Sequence, residues 1–284
     1  MGQLTAAEIT RAVRLALAED VGSGDATTLS TILETAQSRA VMRAREPLVV
    51  AGLMVAEVTF RELSPAMIIQ SLVEDGQSVE AGQDLMRVEG PTRAILSAER
   101  VALNFTQRLS GIATLTAQFV AAIKGTSAKI LDTRKTTPGL RYFEKYAVTC
   151  GGGQNHRIGL FDQILIKDNH LAALHGEKPS AIAAAVKRAR AQYPKLKVEV
   201  EADTLEQVEQ AVATGADIIL LDNMTTAQMR EAVQKAKGRS LTEASGGVNL
   251  KTVRAIAETG VDFISVGAIT HSARAMDIAL DFDE

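Results

Sequence analysis

Thr214-Gly215-Ala216-Asp217-Ile218-Ile219-Leu220-Leu221 recurs 45 residues later as Thr259-Gly260-Val261-Asp262-Phe263-Ile264-Ser265-Val266. Each copy reads as a helix-ending glycine followed by an apolar run of strand length. A strand buried on both faces and entered from a helix is the repeat unit of a parallel α/β structure. Working outward, the candidate strands are 129–133, 147–150, 163–167, 197–201, 217–221, 241–244 and 263–266. Helical patterns fall near 180–192, 205–213, 226–237, 250–258 and 272–280. Nearly every strand ends, at its C-terminal edge, in glycines or in a side chain able to do chemistry. These are Arg134-Lys135, Gly151–Gly153 with His156-Arg157, Lys167-Asp168, Glu201, Asp222-Asn223, Ser245-Gly246-Gly247 and Gly267-Ala268. In an open doubly wound sheet only the strands at the switch point supply ligand groups. In a barrel all strands converge on one mouth. The pattern therefore predicts an incomplete (β/α) barrel of about seven strands.

The N-terminal part reads differently. Residues 4–19 have helical apolar spacing, with Thr5 as N-cap and Glu8 completing a capping box. Residues 19–28 form a polar, glycine-punctuated loop, and 37–90 read as short strands with turns at Gly76 and Gly82. The stretch from Val73 to Leu85 invites comparison with carrier domains that bear a modified lysine. Residues 71–99 contain no lysine, so that function is excluded. Residues 97–124 read as a long amphipathic helix with a break expected near Gly111. The expected domains are 1–112 and 113–284, with part of the C-terminal tail packing on the first.

A hydrophobic content of 46% and a charged content of 23% are those of an ordinary globular chain. Lack of Trp and only 4% aromatic residues argue against a base-stacking nucleic-acid surface. No apolar run approaches membrane-spanning length, and the N-terminus has no signal-peptide pattern, so a cytoplasmic location is expected. The single cysteine, Cys150, excludes internal disulfides and reads as a small buried filler. Four histidines without HxH or HExxH spacing argue against a tight transition-metal site.

Charge is concentrated where the mouth is expected. Residues 129–167 hold seven Lys/Arg against three acids, a local +4 within a chain of net charge −3. Beside apolar strands and glycines, this pattern points to a small anionic ligand. Arg134 and Arg157 offer forks for carboxylate or phosphate, and Lys135 and Lys167 offer point charges. The loops Ser245-Gly246-Gly247-Val248 and Gly267-Ala268-Ile269 follow the last two strands. That is where barrels hold a terminal phosphate on backbone N–H groups and a helix N-terminus. Glu199, Glu201 and Asp222 add carboxylates that could ligate Mg2+ through water, hold sugar hydroxyls, or stabilise positive charge on a sugar carbon. The bland alternative makes them counter-ions for the lysines. His156 reads either as a hydrogen-bond donor to an anion or as a structural residue.

Longer strings carry a resemblance. Thr133-Arg-Lys-Thr-Thr-Pro-Gly-Leu-Arg141, Gly151-Gly-Gly-Gln-Asn-His-Arg157, Leu165-Ile-Lys-Asp-Asn-His170, Glu199-Val-Glu201 and Leu220-Leu-Asp-Asn223 resemble the quinolinate phosphoribosyltransferase family. So do Glu99-Arg-Val-Ala-Leu-Asn104, Ser245-Gly-Gly247 and Val266-Gly-Ala268, and the likeness spans essentially the whole chain. The resemblance implies an N-terminal open-faced α/β sandwich, an incomplete barrel, and a homodimer. It implies Mg2+-dependent transfer of phosphoribose from phosphoribosyl pyrophosphate to quinolinate with loss of CO2. Thr133, Arg134, Lys135, His156, Arg157 and Lys167 would surround quinolinate and pyrophosphate. Glu201 and Asp222 would serve ribose and metal, with Lys135, Lys167, Glu201 and Asp222 in catalytic roles. Gly246 to Val248 and Gly267 to Ile269 would hold the 5'-phosphate, and Arg100 would enter the partner's site. Two rival functions fit much of the same residue set: a phosphoribosyltransferase for another base, and a non-catalytic phosphosugar sensor.

Overall fold

The computed structural model describes residues 4–283 and divides into two compact units. The first comprises the chain up to Ala117, Thr137–Gly152, and the residues from Ser272 on. The second comprises Gln118–Thr136 and Gly153–His271.

The first unit holds a four-stranded antiparallel sheet in the order Ile278–Phe282, Gln37–Ala44, Asp84–Pro91, Ile68–Ser71. Ala40, Met42 and Ala44 alternate inward and pack with Phe60 of the helix Leu53–Leu63 and with Ile95 and Ala98 of the helix Thr92–Ala122. The opposite face carries Arg39–Glu89 (2.9 Å), Arg43–Asp84 (2.7 Å) and Arg43–Asp281 (3.0 Å) ion pairs. Each buried aliphatic or aromatic side chain contributes about 1.5–3 kcal/mol, whereas exposed ion pairs contribute about 0–1 kcal/mol. The helix-covered face therefore holds this open-faced sandwich together.

Several expectations for this unit need correction. The helix Leu53–Leu63 stands where only strands were expected. No local residue caps it. Its cap is remote, since the Asp75 carboxylate accepts the Gly52 and Leu53 N–H groups at 3.0 and 3.1 Å. The polar loop after Glu19 contains a short helix, Ala26–Thr31, with Asp25 as N-cap. The long helix is unbroken at Gly111. That glycine instead makes room for the chain at Arg274, whose carbonyl oxygen would lie 1.8 Å from a Cβ there. Residues 147–150 are not a strand but the end of the helix Arg141–Cys150, which buries Phe143, Glu144, Ala147 and Val148 at helical spacing. Residues 272–280 are not helical, and Ile278–Phe282 is a sheet edge strand.

The second unit is a parallel sheet of six strands, one fewer than expected. Its order is Lys129–Leu131, Phe263–Ser265, Leu241–Ser245, Ile218–Asp222, Val198–Ala202, Ile164–Ile166. The last strand in sequence pairs with the first, the closure expected of a barrel. The seventh place is filled by a single bridge rather than a strand. Gln154 N–H donates to Ile130 C=O at 2.8 Å, and Asp132 N–H donates to Gln154 C=O at 3.1 Å. The barrel is thus left open between Gln154 and Ile164–Ile166. The helices Ala181–Gln192, Leu205–Ala213, Thr226–Ala236 and Val253–Ala257 connect the strands. Gly215 and Gly260, the repeated glycines, lie just past two of these helices at φ 71° and 92°.

Candidate active site

A cavity of about 840 Å³ opens at the C-terminal ends of the parallel strands. Thr133, Arg134, Lys135, His156, Arg157, Lys167, Glu201 and Asp222 line it, with the loop residues Ser245 to Val248, Gly267 and Ala268. Ile269 does not line it, because its side chain is wholly buried. Arg100 is exposed on the helix Thr92–Ala122 of the first unit and is not among the lining residues. His170 also stays out. Its Nδ1 accepts the Lys167 N–H at 2.9 Å, so it caps the turn after the strand. His271, which carried no sequence signal, lines the cavity.

Strand geometry explains the lining. Along Val198–Ala202 the side chains of Val198, Val200 and Ala202 pack in the core, and those of Glu199 and Glu201 alternate with them. Glu199 lies deep and fully buried, and Glu201 reaches the mouth, where Lys167 Nζ sits 3.1 Å from it. The Lys135 carbonyl accepts a hydrogen bond from Thr270 Oγ1 at 2.8 Å, which fixes the loop after the first strand against the last one.

The cationic wall is left poised for an anion. Arg134 Nε is buried with no hydrogen-bond partner among the described residues. Arg157 is nine-tenths buried, and the hydrogen bond from its Nη1 to Gln163 C=O is long at 3.3 Å. Burial first, and then the charge of Arg134, hold the Arg157 guanidinium below its ordinary pKa. The buried Arg157 guanidinium and the half-buried Arg134 beside it, which repel each other, gain most from a ligand carrying negative charge between them.

Beneath the mouth lies an ionisable layer that sequence reasoning missed in part. His156 Nε2 is 3.0 Å from Glu199 Oε2 and 3.6 Å from Glu243 Oε2. The three come from alternate positions of the barrel, the usual layering rule. Arg157 N–H donates to His156 Nδ1 at 2.7 Å, so Nε2 carries the ring proton toward Glu199. Gln163 Nε2 donates to the same Glu199 oxygen at 2.7 Å. Glu243 is fully buried, and neither of its oxygens has a hydrogen-bond partner among the described residues. Burial, and then the neighbouring Glu199, push its carboxyl up to about 8. An acid within the strand Leu241–Ser245, in step with Ser245, was the available signal.

Glu201, Asp203 and Asp222 bring carboxylate oxygens within 4.8 Å of one another, a hard-oxygen set suited to Mg2+. Asp203 was missed, although it continues the alternation of Glu199 and Glu201. His156, Glu199 and Glu243 also lie this close, but the Nε2 proton makes that imidazole a donor rather than a ligand. The glycine loops differ from expectation in one respect. The helices after them, Val253–Ala257 and Ala268–His271, are five and four residues long. Backbone N–H groups, rather than a long helix dipole, are what these loops offer a phosphate.

Comparison with known proteins gives consistent results. The family model described as quinolinate phosphoribosyl transferase, C-terminal domain, matches residues 112–281, and the corresponding N-terminal domain matches 25–110. The nicotinate-nucleotide pyrophosphorylase [carboxylating] of Mycobacterium leprae is 45% identical over 275 residues, covering 95% of each chain. A chloroplastic Arabidopsis thaliana protein of the same name is 42% identical, over 95% of this chain and 82% of its own. Among solved structures, NadC from Streptococcus pyogenes superposes with a TM-score of 0.94 at 40% identity over the whole of both chains.

Proposed function

From the premise that the chain belongs to the quinolinate phosphoribosyltransferase family, we propose the reaction it catalyses and the residues that perform it. The enzyme transfers phosphoribose from phosphoribosyl pyrophosphate to quinolinate with decarboxylation. The products are nicotinate mononucleotide, pyrophosphate and CO2, a step of NAD biosynthesis. The observation that carries the residue assignment is the pair Arg134 and Arg157: Arg134 has a buried Nε without a partner among the described residues, Arg157 is nine-tenths buried, and the two repel each other. A dianionic pyridine dicarboxylate supplies the counter-charge they lack.

The chemistry follows from the lining. Arg134, Arg157 and Lys135 hold the carboxylates and the pyrophosphate. The ring nitrogen bonds to the anomeric carbon as the bond to the pyrophosphate oxygen breaks, and the leaving group takes the electron pair. Glu201 and Asp222 face the positive charge that develops on the sugar carbon. Lys167, now on Glu201, is positioned to follow the charge of the departing pyrophosphate. The 5'-phosphate rests on the Gly246–Val248 and Gly267–Ile269 backbones, with Ile269 contributing only its backbone. The bond from the ring to its 2-carboxylate then breaks. The electron pair stays on the ring, drawn by the pyridinium, and a proton replaces the lost CO2.

Glu201, Asp203 and Asp222 would hold Mg2+, which supplies counter-charge to the pyrophosphate when bound. The working unit is a homodimer in which Arg100 enters the partner's cavity. Its exposure on the first unit's helix supports this reading. A reducing, cytoplasmic setting suits the lone Cys150, whose thiol burial pushes up to about 12. The direct test is CO2 release from carboxyl-labelled quinolinate, with and without phosphoribosyl pyrophosphate and Mg2+. Release that needs both, with nicotinate mononucleotide formed, is expected. Absence of release alongside retained phosphosugar binding would overturn the reading.

A further inference from the structure

Asn223 directly follows the strand Ile218–Asp222 and lines the cavity. Its φ of 53° makes it the one non-glycine residue with positive φ among the described residues. Side chains seldom occupy that region, although asparagine tolerates it better than most. Such a conformation persists where the surroundings over-determine it, and it gathers at functional sites.

Three contacts over-determine Asn223. Its backbone N–H donates to the Ser245 carbonyl at 3.0 Å, one rung beyond the Asp222–Ser245 pair of the parallel ladder. Its Nδ2 donates to Asp222 Oδ2 at 2.6 Å. Its Oδ1 fills the space where residue 246 would carry a side chain, since a Cβ on Gly246 would come 2.1 Å from it. Gly246 is itself in a positive-φ conformation, at 97°. One amide thus touches the carboxylate at the end of one strand and the glycine loop at the end of the next.

We infer that Asn223 is a positioning residue that locks the Asp222 carboxylate and the Gly246–Val248 loop into one unit, holding the ribose and 5'-phosphate contacts of phosphoribosyl pyrophosphate in register. The inference rests on the reading above, in which Asp222 faces the ribose and the loop takes the phosphate. The physical gain is preorganisation. A carboxylate tied by its neighbour's amide has less rotamer freedom to lose on binding. A loop glycine seated against that amide presents its N–H groups in a set direction.

Two variants separate the amide from the backbone. Asn223→Gly keeps the positive φ without steric cost and deletes the amide. Asn223→Asp keeps the shape and sets a second carboxylate beside Asp222. The readouts are the thermal midpoint, calorimetric binding of ribose 5-phosphate, and separate KM values for phosphoribosyl pyrophosphate and quinolinate. Asn223→Gly is expected to weaken ribose 5-phosphate binding about tenfold and to raise the phosphoribosyl pyrophosphate KM similarly, the scale of a hydrogen bond to a charged group. Its quinolinate KM should stay within about twofold of wild type. Asn223→Asp should be worse on both phosphosugar readouts through repulsion of Asp222. Wild-type phosphosugar values in Asn223→Gly would overturn the inference. So would an equal rise in both KM values with a lowered midpoint, which marks a merely structural role. A wild-type chain that forms no nicotinate mononucleotide would instead sink the assigned reaction, and the ribose 5-phosphate arm would still judge Asn223.

Discussion

Arg134 and Lys135 were legible as a cationic pair at a strand end, but their state was not. Arg134 has a buried, unpartnered Nε, and Lys135 has its backbone tied to Thr270. Arg134→Ala and Lys135→Ala should each cost about 2–4 kcal/mol in kcat/KM, the scale for removing a desolvated charge contact. Near-native kcat/KM in either variant would refute its role. Glu243 gives a pH prediction. Its folded carboxyl sits near 8, against an ordinary value of about 4.3 in the unfolded chain. The folded state therefore binds the extra proton across that window. This contribution is fully present at low pH and is lost as pH rises toward 8. Glu243→Gln removes the charge and keeps the shape. Its thermal midpoint relative to wild type should climb steadily from pH 5 to pH 8, whereas a constant difference would show that Glu243 does not carry the proton.

At the level of elements, local signals and remote ones parted company. The capping boxes at Thr204 and Thr225 and the repeated glycines lie within a few residues of the helices they bound, and those helices were read nearly to their ends. The helix Leu53–Leu63 takes its cap from Asp75, more than twenty residues on, and no local pattern announces it. Gly111 misled in the other direction. Glycine inside a helix suggests a break when only propensity is considered. The close approach of the Arg274 carbonyl explains it here. Gly111→Ala should therefore lower stability by about 1–3 kcal/mol through overpacking, despite alanine's better helix propensity. Denaturant unfolding at constant m-value would measure it, and a stabilised variant would contradict the packing account.

At the scale of the whole molecule, the role proposed for Arg100 requires an active unit of two chains, and that requirement can be tested. Arg100→Ala and Asp222→Asn should each be nearly inactive alone. Mixed and reassociated one to one, they should regain about one quarter of wild-type activity, since half the dimers are mixed and one site in two is whole. No recovery, with mixed dimers verified by mass, would end the shared-site assignment.

The amino-acid sequence alone determined the parallel α/β class, the anionic character of the ligand and most of the cavity lining. Those properties follow from periodicity, from the order of residues at strand ends, and from strings long enough to carry a family likeness. Only the tertiary structure decided the rest. It replaced the seventh strand by the Gln154 bridge and turned residues 147–150 into a helix that buries Phe143 and Val148. It also set His156, Glu199 and Glu243 within one buried layer and put the Asn223 amide against both Asp222 and Gly246. Each of these depends on groups distant in sequence meeting at a fixed separation. Local pattern cannot encode that, because the energies that decide it are desolvation, packing and charge, and all three exist only once the chain has closed.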